Sequence, residues 1–169
     1  MWNDTDEPIA YLITFRCYGT WMPGDERGSI DRHNNVYGAA RNMPNEHWKE
    51  ISTARRKHAP VVLDPRRRAS VELAIRETCE IRKWKLFAQN VRTNHAHVVS
   101  STGGRKPSVH LNAFKANASR QMRVDGVWSF EHSPWADKGR ERWLWTEKHL
   151  SDAIEYVVFG QGGELPRFD

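Results

Sequence analysis

"KLFAQNVRTNHAHVVSS", residues 85–101, decides the fold. Its halves, 85–92 and 95–101, are rich in β-branched and apolar residues. Thr93 and Asn94 between them suit a tight turn, so the stretch reads as an antiparallel hairpin. In a strand, residues two apart share a face and lie about 6.6 Å apart along the axis. His95 and His97 therefore point one way, and Ala96 and Val98 the other. Small apolar residues belong beneath covering helices, which leaves the two imidazoles on the open face at a spacing that lets both reach one divalent ion. On its own the pattern is weak and fits two ordinary polar residues on a wet strand face better, and the rest of the chain has to decide.

Working outward, residues 9–18 (IAYLITFRCY) read as a first strand. Pro65 begins a helical pattern with Val71, Ala74, Ile75, Thr78 and Cys79 at helical spacing, to about Trp84. After Gly103-Gly104, residues 107–123 read as a second helix, with Val109, Leu111, Phe114 and Met122 as its apolar positions. A short strand is expected near 141–145. Thr146 to Phe159 reads as a last helix with Leu150, Ala153, Ile154, Val157 and Val158 as its stripe, ended by glycines from Gly160 onward. This order predicts an α+β domain: an antiparallel sheet with helices packed mainly on one face. Residues 1–169 are expected to form one domain, with a long loop at about 19–63 that Gly19, Pro23, Gly24 and Gly28 open.

Composition narrows the class. The 169 residues carry 26 Lys and Arg against 21 Asp and Glu, with a pI near 9.4, which favours an anionic partner. No stretch approaches the roughly 18 apolar residues of a membrane span, and no leader is visible, so a cytoplasmic protein is expected. The two cysteines, Cys17 and Cys79, read as reduced core thiols. Neither a P-loop nor a dinucleotide glycine fingerprint occurs.

The last helix adds a candidate nucleophile. With Leu150 at zero and about 100° per residue, Tyr156 falls at about 240°, off the apolar stripe, with His149 and Gly160 at nearly the same angle. The residue is either a boundary tyrosine with a wet hydroxyl or a placed phenol.

The hairpin "NHAHVV", the Lys-bearing helix at 107–123, the stretch "RERWLWTEKHL" and the late "AIEYVVFGQGG" occur in an order that resembles single-tyrosine HUH transposases, in particular their REP-associated and insertion-sequence branch. The likeness runs from the first strand to about residue 163. It implies a ferredoxin/RRM-like sheet and a DNA nicking and joining enzyme. His95 and His97 would hold Mg²⁺ or Mn²⁺, and Tyr156 would attack a phosphodiester to leave a 5′-phosphotyrosine. His149 and Lys115 are candidate supports. Relatives commonly carry Asn or Gln four residues after the tyrosine as a third ligand. Here that position is Gly160, and Gln161 follows it as the candidate. Arg92, three residues before His95, stands where some relatives have an acidic ligand.

The implied partner is single-stranded or hairpin DNA at a nucleoid location, with no membrane involvement, and a homodimer is compatible with the resemblance. Arg55, Arg56, Lys57, Arg66, Arg67, Arg68, Arg105 and Lys106 are candidate phosphate contacts, and Trp21 is a candidate stacking residue. Two alternatives stand beside this reading. One is a catalytically weak or idle domesticated module that binds single-stranded nucleic acid. The other is a structural protein stabilised by a metal.

Overall fold

The computed structural model describes residues 7–20 and 57–160. Its elements are β1 (Ala10–Arg16), α1 (Pro65–Arg82), β2 (Leu86–Val91), β3 (His95–Ser101), α2 (Pro107–Val124), β4 (Arg140–Leu144) and α3 (Glu147–Phe159). The four strands form one sheet in the order β2-β3-β1-β4, and every pairing is antiparallel. The domain is therefore α+β, as the alternation of patterns predicts.

Local chemistry sets the helix ends. Asp64 caps α1 by accepting from the Arg67 amide at 2.9 Å, Pro65 opens its first turn, and Lys83 closes it in the left-handed region at φ 59°. Thr146 caps α3 in the same way through the His149 amide. Gly103 has to be glycine: at φ +58° its backbone lies so close to the Trp84 indole that a Cβ would sit 2.3 Å from Trp84 Cδ1.

The core has two parts, one on each side of the sheet. Tyr11, Ile13, Phe15, Ala96 and Val98 face α1 and α2 and meet Val71, Ile75, Phe114 and Met122 in the larger cluster. Ala10, Leu12, Val99 and Leu144 point the other way and meet Ala153 and Val157 of α3 in the smaller one. Two helices thus cover one face and one crosses the other. His97 is consequently 5 % exposed, where an open face was expected; only His95, at the strand end, keeps part of its surface.

The stripe on α3 also differs from the sequence reading. Its centre is His149, Ala153 and Val157, with Tyr156 packed at the flank, while Val158 is 46 % exposed. The sheet face beneath is polar at one end, so the helix turns polar side chains towards it as well as aliphatic ones.

Cys17 and Cys79 are both buried and unbridged, and burial pushes each thiol up to about 12. At neutral pH both are packing groups. Among the described residues no helix is long and apolar enough to cross a membrane.

Candidate functional site

Register builds the site. Asn90 pairs with His97, His97 with Thr14 and Thr14 with Arg140, which sets four polar side chains in one row across the sheet on the α3 side. Arg142 follows one step along β4, opposite Leu12, and His95 lies opposite Arg16 at the strand end.

The two imidazoles sit with ring centroids 4.8 Å apart and planes at 77°. Each is oriented through Nδ1: that of His97 meets Thr14 Oγ1 at 2.7 Å, and that of His95 meets Asn94 Oδ1 at 2.7 Å. With Asn94 as acceptor, Nδ1 of His95 carries a proton, so that whenever the ring is neutral its lone pair is on Nε2, the arrangement that neighbours impose on metal-binding histidines. Burial first, and then the charges of His95, Arg140, Arg142 and Arg92, hold the His97 imidazole down at about 3, so it is neutral across the physiological range. Among the described residues, each charge that shifts His97 is positive.

Tyr156 comes to this pair from α3. Its ring stands 5.3 Å from that of His97, edge to face, within the same chain. Two contacts fix the end of the helix there. Asn90 Nδ2 donates to the Val157 carbonyl at 2.9 Å, and the Gly160 amide donates to the Tyr156 carbonyl at 2.9 Å. A Cβ at Gly160 would lie 3.0 Å from Tyr156 Cδ2, so the missing side chain leaves the phenol ring its room.

The site therefore brings together His95, His97 and Tyr156, and adds Thr14, Asn90, Arg92, Arg140 and Arg142, none of which sequence reasoning gave a role. The arginines on β4 had a signal: Arg140 and Arg142 alternate as His95 and His97 do. Nothing local marks Thr14 or Asn90, because their place depends on pairing across the sheet.

The two candidate supports lie elsewhere. His149 is seven residues before Tyr156, about 10 Å along the helix axis. Its Nδ1 accepts from the Trp145 amide at 3.3 Å at the start of α3. Lys115 is on α2, across the sheet from Tyr156. Its ammonium donates to the carbonyls of Ala136, at 2.9 Å, and Lys138, and burial holds it below the usual lysine range. It lines a separate open depression of about 460 Å³ with Tyr18, Ser119 and Trp135.

The basic candidates also divide. Arg67 donates from Nε to the Val127 carbonyl at 2.9 Å and lies 5.1 Å over the Trp128 ring, and Arg68 donates to the Leu63 carbonyl at 2.8 Å. Both guanidinium groups tie the segment before α1 to the body of the fold. Lys57 and Arg66 are exposed at the sheet end that carries His95, and Arg105 and Lys106 are exposed at the opposite end. Trp21, Arg55, Arg56 and Gln161 lie outside the described residues.

The donor set suits a divalent ion in part. Two imidazoles share one face, both oriented through Nδ1 and one of them held neutral; nitrogen donors of this kind suit ions such as Zn²⁺ better than Mg²⁺ or Mn²⁺, for which most of the coordination would have to come from oxygen atoms of phosphate or water. Among the described residues no group of three His, Cys, Asp or Glu converges.

No family model matches the sequence, and no curated protein matches it. Among the solved structures to which the chain is similar are two transposases. One is a REP-associated tyrosine transposase bound to a REP hairpin, with a TM-score of 0.49 and 11% identity over 95% of this chain and 68% of that one. The other is a candidate transposase from Deinococcus radiodurans R1, with a TM-score of 0.45 and 11% identity over 96% of this chain and 97% of that one. Both are likenesses of chain path alone.

Proposed function

We propose that the protein is a DNA nicking and joining enzyme in which Tyr156 attacks a phosphodiester held beside His95 and His97. The observation that carries this reading is the Tyr156 ring 5.3 Å from a buried, neutral histidine whose partner imidazole is 4.8 Å further on. Packing alone has no use for that combination on a sheet face that could have been aliphatic.

The roles follow from chemistry. A phenol titrates near 10, so a tyrosine nucleophile needs positive potential around it. Arg92, Arg140 and Arg142 supply such potential at His97 and also attract a phosphate. Attack forms a bond between the tyrosine oxygen and phosphorus and breaks the bond from phosphorus to the 3′ oxygen, which leaves as a hydroxyl. The proton lost by the phenol balances the one gained by the leaving oxygen. The phosphotyrosine remains a phosphodiester, so a strand hydroxyl can reverse the step without a nucleotide cofactor. Mg²⁺ or Mn²⁺ held by His95 and His97, with Gln161 as the candidate third ligand, would polarise a non-bridging phosphate oxygen and stabilise the charge that builds during attack. The chain's own part is to orient both imidazoles through Thr14 and Asn94 and to hold α3 in place through Asn90.

The test is covalent capture. Full-length protein incubated with Mn²⁺ and end-labelled single-stranded or hairpin DNA should give a labelled band that survives denaturation. Tyr156→Phe should give none, and His97→Ala should reduce it by about a hundredfold or more. An unchanged band from Tyr156→Phe removes the assignment. A wild-type chain that binds the strand and never forms the band is the idle binding module instead.

A further inference from the structure

An aromatic cluster lies at the same end of the sheet as His95, outside the site just described. His58 and His132 stack face to face with centroids 3.8 Å apart and planes at 9°. Phe130 lies 5.5 Å from His132 at a 31° tilt and is 54 % exposed, and Trp128 supports both from below at 5.0 and 5.3 Å.

The arrangement is built and held. Tyr18 Oη accepts from the amides of Lys57 at 2.9 Å and His58 at 3.4 Å, which fixes the backbone that presents His58. Trp128 Nε1 donates to the His132 carbonyl at 3.1 Å, and Arg123 donates to the Phe130 carbonyl at 3.3 Å. His58 itself is exposed, and its ring is oriented by Tyr18 and His132 rather than buried by them.

The surroundings are cationic. Lys57, Arg66 and Arg123 are exposed on the segments that carry the cluster, Arg67 lies over Trp128, and the exposed acidic residues Asp64 and Glu131 stand beside them. A flat, fixed ring beside cations matches a nucleobase and its phosphates better than a peptide or a lipid.

The cluster is also continuous with the site. The Leu63 amide donates to the Thr93 carbonyl at 2.6 Å and the Cys17 amide to the Asn94 carbonyl at 2.9 Å, so the segment that begins at Lys57 is fastened to the turn that precedes His95.

We propose that His58, His132 and Phe130 form a stacking platform for an unpaired base of the DNA strand that flanks the His95–His97 site, with Lys57 and Arg66 on its phosphates. This rests on the nicking reading for the identity of the strand, and it concerns binding where that reading concerns cleavage.

The test is equilibrium binding by fluorescence anisotropy, using the full chain and two probes. One is a mixed-sequence single-stranded DNA, and the other is the same strand with the bases of one half replaced by abasic sites. His58→Ala and Phe130→Ala are expected to weaken binding of the intact strand by about fivefold or more each, the usual worth of one stacked base. Both should lose the wild type's preference for intact over abasic DNA, and His58→Phe should restore it. Equal binding of the two probes by the wild type, or unchanged affinity in both alanine variants at an unchanged melting temperature, overturns the platform. Covalent capture through Tyr156 is read independently, so either proposal can fall while the other stands.

Discussion

Each face of the sheet buries a histidine, and the two are used differently. His110, on the buried side of α2, is 0 % exposed: it stacks on Trp84 at 3.7 Å and meets Tyr11 edge to face at 5.1 Å. Its hydrogen bonds are complete within the fold. Nε2 donates to the Thr102 carbonyl at 2.9 Å, and Nδ1 accepts from Ser100 Oγ at 3.1 Å. His97, beneath α3, is nearly as buried but has a second imidazole, a phenol and three arginines around it. Burial lowers the pKa of both. What separates a packing histidine from a candidate ligand is its company, and the two faces differ in kind: one is aromatic and self-satisfied, the other polar and strongly positive.

That contrast can be broken most forcefully from the apolar side. Phe114 is fully buried between Trp84 and the sheet, and Phe114→Ala should cost about 3–5 kcal/mol. Urea denaturation would read this as a lower midpoint at unchanged slope. Tyr156→Phe, on the other face, should leave stability within about 0.5–1 kcal/mol and, if Tyr156 is the nucleophile, remove the covalent adduct. Equal destabilisation by the two changes would mean that α3 is a packing helix whose tyrosine serves the core.

A smaller effect tests the positive character of the α3 face. If Arg140 meets a strand phosphate, Arg140→Gln should weaken single-stranded DNA binding for every sequence alike. It should also reduce the slope of log affinity against log salt by about one. An unchanged slope would place Arg140 outside the DNA contact and leave its field on His97 as its only role.

The self-satisfied histidine makes the next prediction, with a definite sign. Burial is the main cause that lowers the His110 pKa, the Thr102 hydrogen bond opposes it, and the Arg82 charge adds to it. The unfolded chain therefore binds this proton more readily than the folded one. The stability His110 contributes is present above its unfolded pKa of about 6.5 and is lost as pH falls below it. His110→Gln keeps a donor and an acceptor for Thr102 and Ser100, and should flatten the decline in stability between neutral and mildly acidic pH. A curve parallel to the wild type would assign the acid sensitivity elsewhere.

Sequence pattern carried the fold a long way for a physical reason: its elements announce themselves locally. The alternation in HAHVVSS, Pro65 at the head of a helical pattern and the glycines after Phe159 each depend on a few neighbouring residues, and they place every strand and helix within about two residues of its observed ends. The pair His95 and His97 was legible for the same reason, as was Tyr156 on its helix. The completing residues were not. Thr14 and Asn90 become neighbours of His97 only through pairings between β1, β3 and β2, and one residue of slip would send them to the other face. Lys115 and His149 were suggested by type and chain order, which do not record that α2 covers the opposite face or that His149 is two turns from Tyr156. Arg67 and Arg68 resemble phosphate contacts in sequence, and their pattern does not record that part of each guanidinium donates to the carbonyls of Val127 and Leu63.

The finest comparison lies within the α3 face, between chemistry and mere placement. Gly160 offers no functional group, adopts an ordinary backbone conformation at φ −90°, and matters through the space beside the Tyr156 ring. A methyl group there sits 3.0 Å from both Cδ2 and the carbonyl oxygen of Tyr156, tight enough that the ring and the last turn of α3 must give by a few tenths of an ångström. If Tyr156 is the nucleophile, Gly160→Ala should slow adduct formation several-fold while leaving DNA affinity close to wild type, since displacement of an attacking group costs rate more than binding. Loss of affinity in parallel with rate would show that the terminal turn of α3 contacts the strand directly. Full rate would show that the phenol already has more freedom than its packing against His97 suggests.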